Sequence, residues 1–416
     1  MTLDHLNKDL SVLIPLSNVP RDYAWGSTTA ISGLLGTTPS GGPEAELWLG
    51  AHAGSPARVL DPSMTGGAAT LADWIERDPA AAGLSEPRLP FLLKVLAADA
   101  PLSLQAHPSP EEARSGFERE NAAGIAPDAE NRNYRDAFHK PELIYALSET
   151  FDALCGFRPV AEAIVDVDAL LAVPGLSADA LVRLRGFRDG LAGGAGTEGA
   201  DTDADVLRSV VEDLLTNDVS ALVQAVTDAA ASAPETPAVK TVRRLAGFYP
   251  GDAGIAVSLL VRSVTLKRGE VLYLPAGNIH AYLGGLGVEL MAASDNVLRG
   301  GLTPKHIDVP ELLSVLDFTP LPVPYLDPRP AGAGAEVFVP DVPDFELIHV
   351  SGLGEEATRL ELPGPAIALV TDGSVTVAGA SAHRTVERGG ALYITPDEGP
   401  LTIAGSGELF LATTRL

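Results

Sequence analysis

The hydrophobic pattern changes period twice along the chain. Up to about residue 156, short apolar runs such as FLLKVLA (91–97) alternate with turns rich in Pro and Gly, which predicts strands and loops. Between 157 and 249 the segments VDALLAVPGL, ADALVRLRGF, VLRSVVEDLL and VSALVQAVTDAAA repeat their apolar positions at helical spacing. A cluster of Gly, Asp and Thr at 190–204 predicts a loop between two groups of these helices. From about 254 the strand rhythm returns in AVSLLVRSVTL, EVLYLP and GVELMAAS. A short helix is expected near Pro310 (ELLSVL), and a β-rich block from about 336 to the end.

Two stretches match across this pattern: RGEVLYLPAG (268–277) and RGGALYITPD (388–397). Each reads as an Arg-Gly turn, a strand carrying Leu-Tyr, and a turn bounded by Pro. That is the rhythm of a small jelly-roll barrel of the cupin kind. The first copy continues into NIHAYL, with a His, and the second into EGPLTI, without one. The expected fold is mainly β with an α-helical insertion: two cupin-like jelly-roll barrels plus a helical domain. Residues 1–156 and 250–325 would form a metal-binding catalytic domain, 157–249 the helical domain, and 326–416 a second β domain without metal. The histidines of that last block, His349 and His383, read as packing or surface residues.

A chain of 416 residues is too long for a single core, which agrees with several domains. No long uncharged apolar run predicts a membrane-spanning helix, and MTLDHLNKDL lacks the basic start and apolar core of a signal peptide. A lone cysteine, Cys155, excludes an intramolecular disulfide and reads as a small buried hydrophobe. A reducing, cytoplasmic setting is the simplest expectation. Lys and Arg total 29 against 55 Asp and Glu, a net charge of −26, which argues against nucleic acid or an anionic membrane as partner. A small anionic substrate would then need a local cluster of Arg and Lys. Sequence does not settle the oligomeric state; a monomer is the favoured expectation.

Candidate chemistry begins in SLQAHPSP (103–110). On a strand, residues two apart face the same way, so Gln105 and His107 point together. In FHKPEL, Lys140 and Glu142 share a face; in NIHAYL, His280 and Tyr282 do. Gln105, His107, Glu142 and His280 together offer two imidazoles, a carboxylate and an amide oxygen. That set suits one Zn2+ with room for water or substrate. Structural zinc sites usually use cysteine, so the absence of cysteine here favours catalysis or substrate binding.

The stretch ASDNVLRGGLTPKHID (293–308) follows a strand, which Asp295 and Asn296 are expected to break. Arg299 precedes Gly300 and Gly301, which would let backbone approach a ligand. Thr303 and Pro304 look like a helix N-cap and first turn, and exposed amides there with Lys305 would cradle a phosphate.

Taken in order, YAWG (23–26), AELWLGAH (45–52), PFLLKVL (90–96), LSLQAHP (102–108), HKPEL (139–143), PAGNIHAYL (275–283) and ASDNVLRGGLTPKHID resemble the type I phosphomannose isomerases, which interconvert mannose 6-phosphate and fructose 6-phosphate. The resemblance covers nearly the whole chain, loosely in the Ala-rich helical section and in the C-terminal block. It implies a zinc-binding cupin-like catalytic domain with ligands at Gln105, His107, Glu142 and His280. It also implies active-site roles for Trp25, Lys94, Ser103, Lys140, Tyr282, Glu289, Asp295, Arg299 and Lys305.

Isomerisation of this kind moves a proton between C2 and C1 through an enediol, so a base must reach C2. Lys140, Asp295, Glu289 and His280 are candidates, with Lys140 preferred for sharing a face with Glu142. Arg299 could hold the phosphate or stabilise the enediolate, and Trp25 could wall the sugar pocket or pack in a core. Two other readings of the residues stay open. One is a cupin oxygenase with iron on two His and a carboxylate, in which Gln105 would fill a position that oxygen requires. The other is a non-enzymatic sugar-binding or storage protein.

Overall fold

A computed structural model of the chain describes residues 13–193, 202–353 and 357–415. Its described residues form ten α-helices and two antiparallel sheets, one of ten strands and one of nine. No helix among them is long and apolar enough to cross a membrane. The chain divides into two compact units.

One unit joins residues up to 97 with 288–293 and 326 onward. It contains the ten-stranded sheet, in which Leu13–Ser17 runs antiparallel to Ala391–Ile394. The N-terminal strand thus completes the C-terminal sheet. This differs from the division expected from sequence, where everything before 157 went with the catalytic segment. The cause is a pairing between positions nearly four hundred residues apart, which no local pattern announces. The core of this sheet is aliphatic, with Val370, Val375, Val377, Leu392, Leu409 and Leu411 buried. His349 is buried against Phe410, ring centres 4.7 Å apart, with Nε2 3.0 Å from Glu408 Oε1; His383 is exposed.

The other unit joins residues 98–287 with 294–325. It holds the strands Leu104–Ala106, Glu142–Ala146, Thr150–Phe157, Val261–Lys267, Val271–Leu274 and Leu298–Gly301, and the start of the long strand His280–Ala292. The helical period seen in the sequence becomes five helices: Val160–Leu171, Ala178–Ala192, Asp203–Thr216, Ser220–Ser232 and Pro237–Phe248. Their apolar faces share one core with Leu104, Ala106 and Leu298 from the strands. Ser177, Thr202 and Thr236 start three of them by accepting backbone N–H bonds. Of the loop expected at 190–204, residues 194–201 lie outside the described residues.

The internal match also has a structural form. Val271–Leu274 and Ala391–Ile394 are both four-residue strands, each entered through a glycine in the left-handed region, Gly269 and Gly389. Each is followed in the chain by a thirteen-residue strand, His280–Ala292 and Leu401–Thr413.

The stretch after Arg299 departs from expectation. No helix starts at Thr303. Residues 302–308 are irregular, and Thr303 Oγ1 instead accepts the N–H of Lys305 at 3.1 Å. The helix is Val309–Val315, capped by Asp308 through the N–H of Glu311 and followed by Pro310 in its first turn. The Gly pair serves packing rather than ligand approach. A Cβ on Gly300 would lie 3.1 Å from Leu312, and one on Gly301 2.9 Å from the Cα of Gly254. Asp252 Oδ1 secures the turn by accepting the N–H groups of both Gly254 and Leu302.

Gly301 has φ +129°, so Gly301→Ala combines backbone strain with a backbone clash. It should lower stability by about 1–3 kcal/mol in urea unfolding; an unchanged midpoint would contradict this packing.

Candidate metal centre

Strand register builds the site. In Leu104–Ala106, Gln105 lies opposite His280 on one neighbouring strand and opposite Arg299 on the other. Directly opposed residues point to the same face, so His280, Gln105 and Arg299 form one row across three strands. His107 follows Gln105 by two residues, and Glu142 opens the strand Glu142–Ala146.

His107, Glu142 and His280 converge, all buried, with one potential ligand atom from each lying within 4.8 Å of the others. His107 Nε2 is 3.1 Å from Glu142 Oε1, and His280 Nε2 is 3.4 Å from Glu142 Oε2. A tetrahedral zinc with bonds of about 2.0–2.2 Å sets its ligand atoms roughly 3.3 Å apart, so these spacings fit. The imidazoles are aimed by backbone carbonyls: His107 Nδ1 lies 2.7 Å from Asn296 O, and His280 Nδ1 2.9 Å from Asn278 O. With Nδ1–H donating in both rings, each Nε2 turns a lone pair inward. His107 Nε2 and Glu142 Oε2 are buried without a hydrogen-bond partner, as atoms reserved for a metal would be. Gln105 Nε2 lies 3.3 Å from His280 Nε2, and a half-turn of the amide would bring its oxygen there instead. His107, Glu142 and His280 therefore fit one metal ion, with Gln105 beside His280.

Charge is arranged around Glu142. Burial alone would push its pKa up, but Lys140, with Nζ 2.9 Å from Oε1, and the two imidazoles hold it well below the usual carboxylate range. Burial, then the charge of Lys140, pushes His107 down to about 4. The cluster thus presents a carboxylate and a neutral imidazole, both in the protonation state that metal binding needs.

Tyr282 is buried with its ring centre 6.2 Å from that of His280, and Ser103 is half-buried just before the Gln105 strand. Cys155 pairs opposite His280; burial raises its thiol to about 12, which makes it inert, as a buried hydrophobe should be.

Beside the row stands a group of cations. Burial and then Arg135 lower the pKa of Arg299. Desolvation, then Arg299 and Arg135, lower that of Lys305. Among the described residues none of these three has an acidic partner within salt-bridge distance. Asp295 is exposed, with its N–H donated to Asp136 Oδ2. Arg135 was missed in the sequence. Its signal was a cation five residues ahead of Lys140, in a chain where cations are scarce.

The remaining residues expected at the site, Lys94, Glu289 and Trp25, belong to the other unit. There Lys94 Nζ lies 2.9 Å from Glu289 Oε2 and 3.5 Å from Glu46 Oε1, all three buried. Trp48 donates its Nε1–H to Glu46 and lies under the ammonium of Lys94. Glu46 was also missed, although an acid in the apolar run ELWL is itself a signal. Trp25 is half-buried and stacks on Tyr23, ring centres 5.8 Å apart.

Two antiparallel sheets and a strand-built His–Glu–His cluster define a β protein able to hold one metal ion at a buried site. The family model for the catalytic domain of phosphomannose isomerase type I matches residues 13–160. Mannose-6-phosphate isomerase of Escherichia coli K12 is 36% identical over 402 residues, covering 95% of this chain and 97% of that protein. The human enzyme of that name is 32% identical, with 93% and 94% covered. A crystal structure of mannose 6-phosphate isomerase bound with zinc and yttrium superposes with a TM-score of 0.84 at 34% identity, covering 98% of this chain and all of that one. The chain belongs to the type I phosphomannose isomerase family.

The depressed pKa of His107 carries a sign. Between its unfolded value near 6.5 and about 4 in the fold, the unfolded chain binds the extra proton, so stability falls as pH drops through that window. Metal-free protein should lose up to about 1.4 kcal/mol per pH unit there. Denaturant melts from pH 7 to pH 4 would measure it, and a flat profile would contradict a neutral buried His107.

Proposed function

We propose that the chain is an aldose–ketose isomerase that interconverts mannose 6-phosphate and fructose 6-phosphate, with one Zn2+ held by Gln105, His107, Glu142 and His280. The observation that carries this is the buried His107–Glu142–His280 cluster with both Nε2 atoms turned inward. Bound zinc would supply a Lewis acid for the oxygens at C1 and C2 of the sugar. The rest falls to side chains. Arg299, on the same sheet face as Gln105 and His280, is aimed where negative charge develops during proton transfer or where the phosphate rests. Lys305 and Arg135 extend that positive region toward solvent, which suits a phosphate. Lys140 is assigned as the base that moves the proton between C2 and C1, since it stands at Glu142 beside the proposed metal; to act so it must first give up its own proton, which a bound Zn2+ and Arg299 would favour. Asp295 and Glu289 are the alternative bases. Tyr282 and Ser103 line the sugar pocket in this reading. The cupin-like jelly-roll description of the two sheets belongs to the same reading, supported by the paired four- and thirteen-residue strands.

The test combines metal analysis with an isomerase assay. Chelation should abolish turnover of mannose 6-phosphate and added Zn2+ should restore it. His280→Ala should lose both metal and activity while remaining folded. Full activity in metal-free protein would refute the assignment. In deuterated solvent, label should enter the reacting carbons during turnover; full retention of a C2 deuterium over many turnovers would instead require a hydride shift. Lys140→Ala should stop this exchange while substrate binding stays measurable. Arg299→Ala should weaken a phosphorylated substrate far more than an unphosphorylated mannose analogue, and equal losses would assign it to the reacting carbons.

A further inference from the structure

Asn296 has no solvent exposure, yet it belongs to neither the metal ligands nor the cation group. Its side-chain Oδ1 accepts the backbone N–H groups of Arg135, at 2.7 Å, and Asp136, at 3.2 Å. Its Nδ2 donates to the carbonyl oxygens of Asp136 and Phe138, each at 2.8 Å, and more weakly to Asp136 Oδ1 at 3.3 Å. Its own carbonyl accepts Nδ1–H of His107 at 2.7 Å, and its own N–H reaches Ser294 Oγ at 3.2 Å. Every donor and acceptor of one buried residue is therefore used.

The partners fall into two groups. The amide grips residues 135–138, which lead directly to Lys140 and Glu142. The carbonyl sets the tautomer and the ring orientation of His107. We propose that Asn296 is the positioning residue of the metal centre, locking the segment that delivers Glu142 to the carbonyl that aims His107. The proposal rests on the metal reading of His107, Glu142 and His280. Only an amide does this, because the segment offers N–H groups to one end and carbonyls to the other. A carboxylate at this position would keep the acceptors, lose both donors, and face the Asp136 carboxylate and two carbonyl oxygens. Gripped at its side chain, Asn296 cannot turn its peptide, so the carbonyl facing His107 stays fixed. The same grip sets the backbone of Arg135, and thereby one member of the cation group.

The test reads zinc affinity directly, without turnover. Full-length wild type, Asn296→Ala and Asn296→Asp are stripped of metal, checked for folding by circular dichroism, and titrated with Zn2+ against a fluorescent chelator well below their melting temperatures. Loss of an outer partner of a metal ligand typically costs about 10–100-fold in metal affinity, and both variants should show a loss of that size. Asn133→Ala, which cuts a neighbouring amide contact to Asp308 without touching His107 or Asn296, should bind zinc like wild type. A purely structural role for Asn296 would lower the melting temperature and leave the zinc affinity of the folded protein within about twofold of wild type, and that result would overturn the proposal. If the Asn296 variants do not fold, Asp136→Ala replaces them. It removes the carboxylate that accepts from Ser294 Oγ and the N–H of Asp295, and it should also weaken zinc binding; unchanged affinity there would overturn the proposal equally. Wild type that binds no zinc would refute the metal reading itself, an outcome distinct from wild type and variants binding alike.

Discussion

Glu142 is a carboxylate almost removed from solvent, and the chemistry around it follows from keeping it charged. Burying an ion costs several kcal/mol even after relaxation, and the cost is met only by close, well-placed partners. Here the charge partner is the Lys140 ammonium at 2.9 Å, and two imidazoles stand at 3.1 and 3.4 Å. The arrangement constrains those partners in turn. His107 cannot also become a cation, because burial and Lys140 oppose it, so it stays neutral with a lone pair facing the carboxylate. A neutral His107 imidazole and an ionised carboxylate in a dry place are conditions that let a divalent ion bind with few protons displaced. Electrostatic necessity in the fold and readiness for metal are therefore the same arrangement.

The other unit obeys the same constraint with different residues. Lys94 sits in the fully buried strand Phe91–Ala98, where an unpaired ammonium would be untenable. Glu289 and Glu46 supply the counter-charge, and the indole of Trp48 supplies both a donor to Glu46 and a π-face to the ammonium. A lysine among FLLKVLA is tolerated because two other strands bring it partners, not because of anything in its own run.

That distinction explains what the sequence made legible. Features with a local period came through: five helices from the 3.6 rhythm and the matched Val271–Leu274 and Ala391–Ile394 strands. Features set by register did not. Nothing in the spacing puts Arg299 beside Gln105, or Leu13–Ser17 beside Ala391–Ile394; both depend on which strands meet. Thr303-Pro304 and Asp308 were competing helix starts of similar local merit. The decision came from contacts: Asp252 pins Leu302 in a turn, while Asn133 and Tyr134 hold Asp308 and Glu311. Arg135 and Glu46 stayed hidden because each gains its meaning only from a neighbour on another segment.

The global charge of −26 and the local group of cations look contradictory for a chain read as binding a sugar phosphate. They act over different ranges. At physiological ionic strength exposed charges are screened over about 8 Å, so most of the acidic surface contributes little at the position of a bound anion. Burial first, and then the repulsion among Arg135, Arg299 and Lys305, lowers the pKa of Arg299 and Lys305, and among the described residues no acid lies within salt-bridge distance of the three. In the proposed reading of this group as the phosphate site, a dianion would offset that repulsion and a neutral sugar would not.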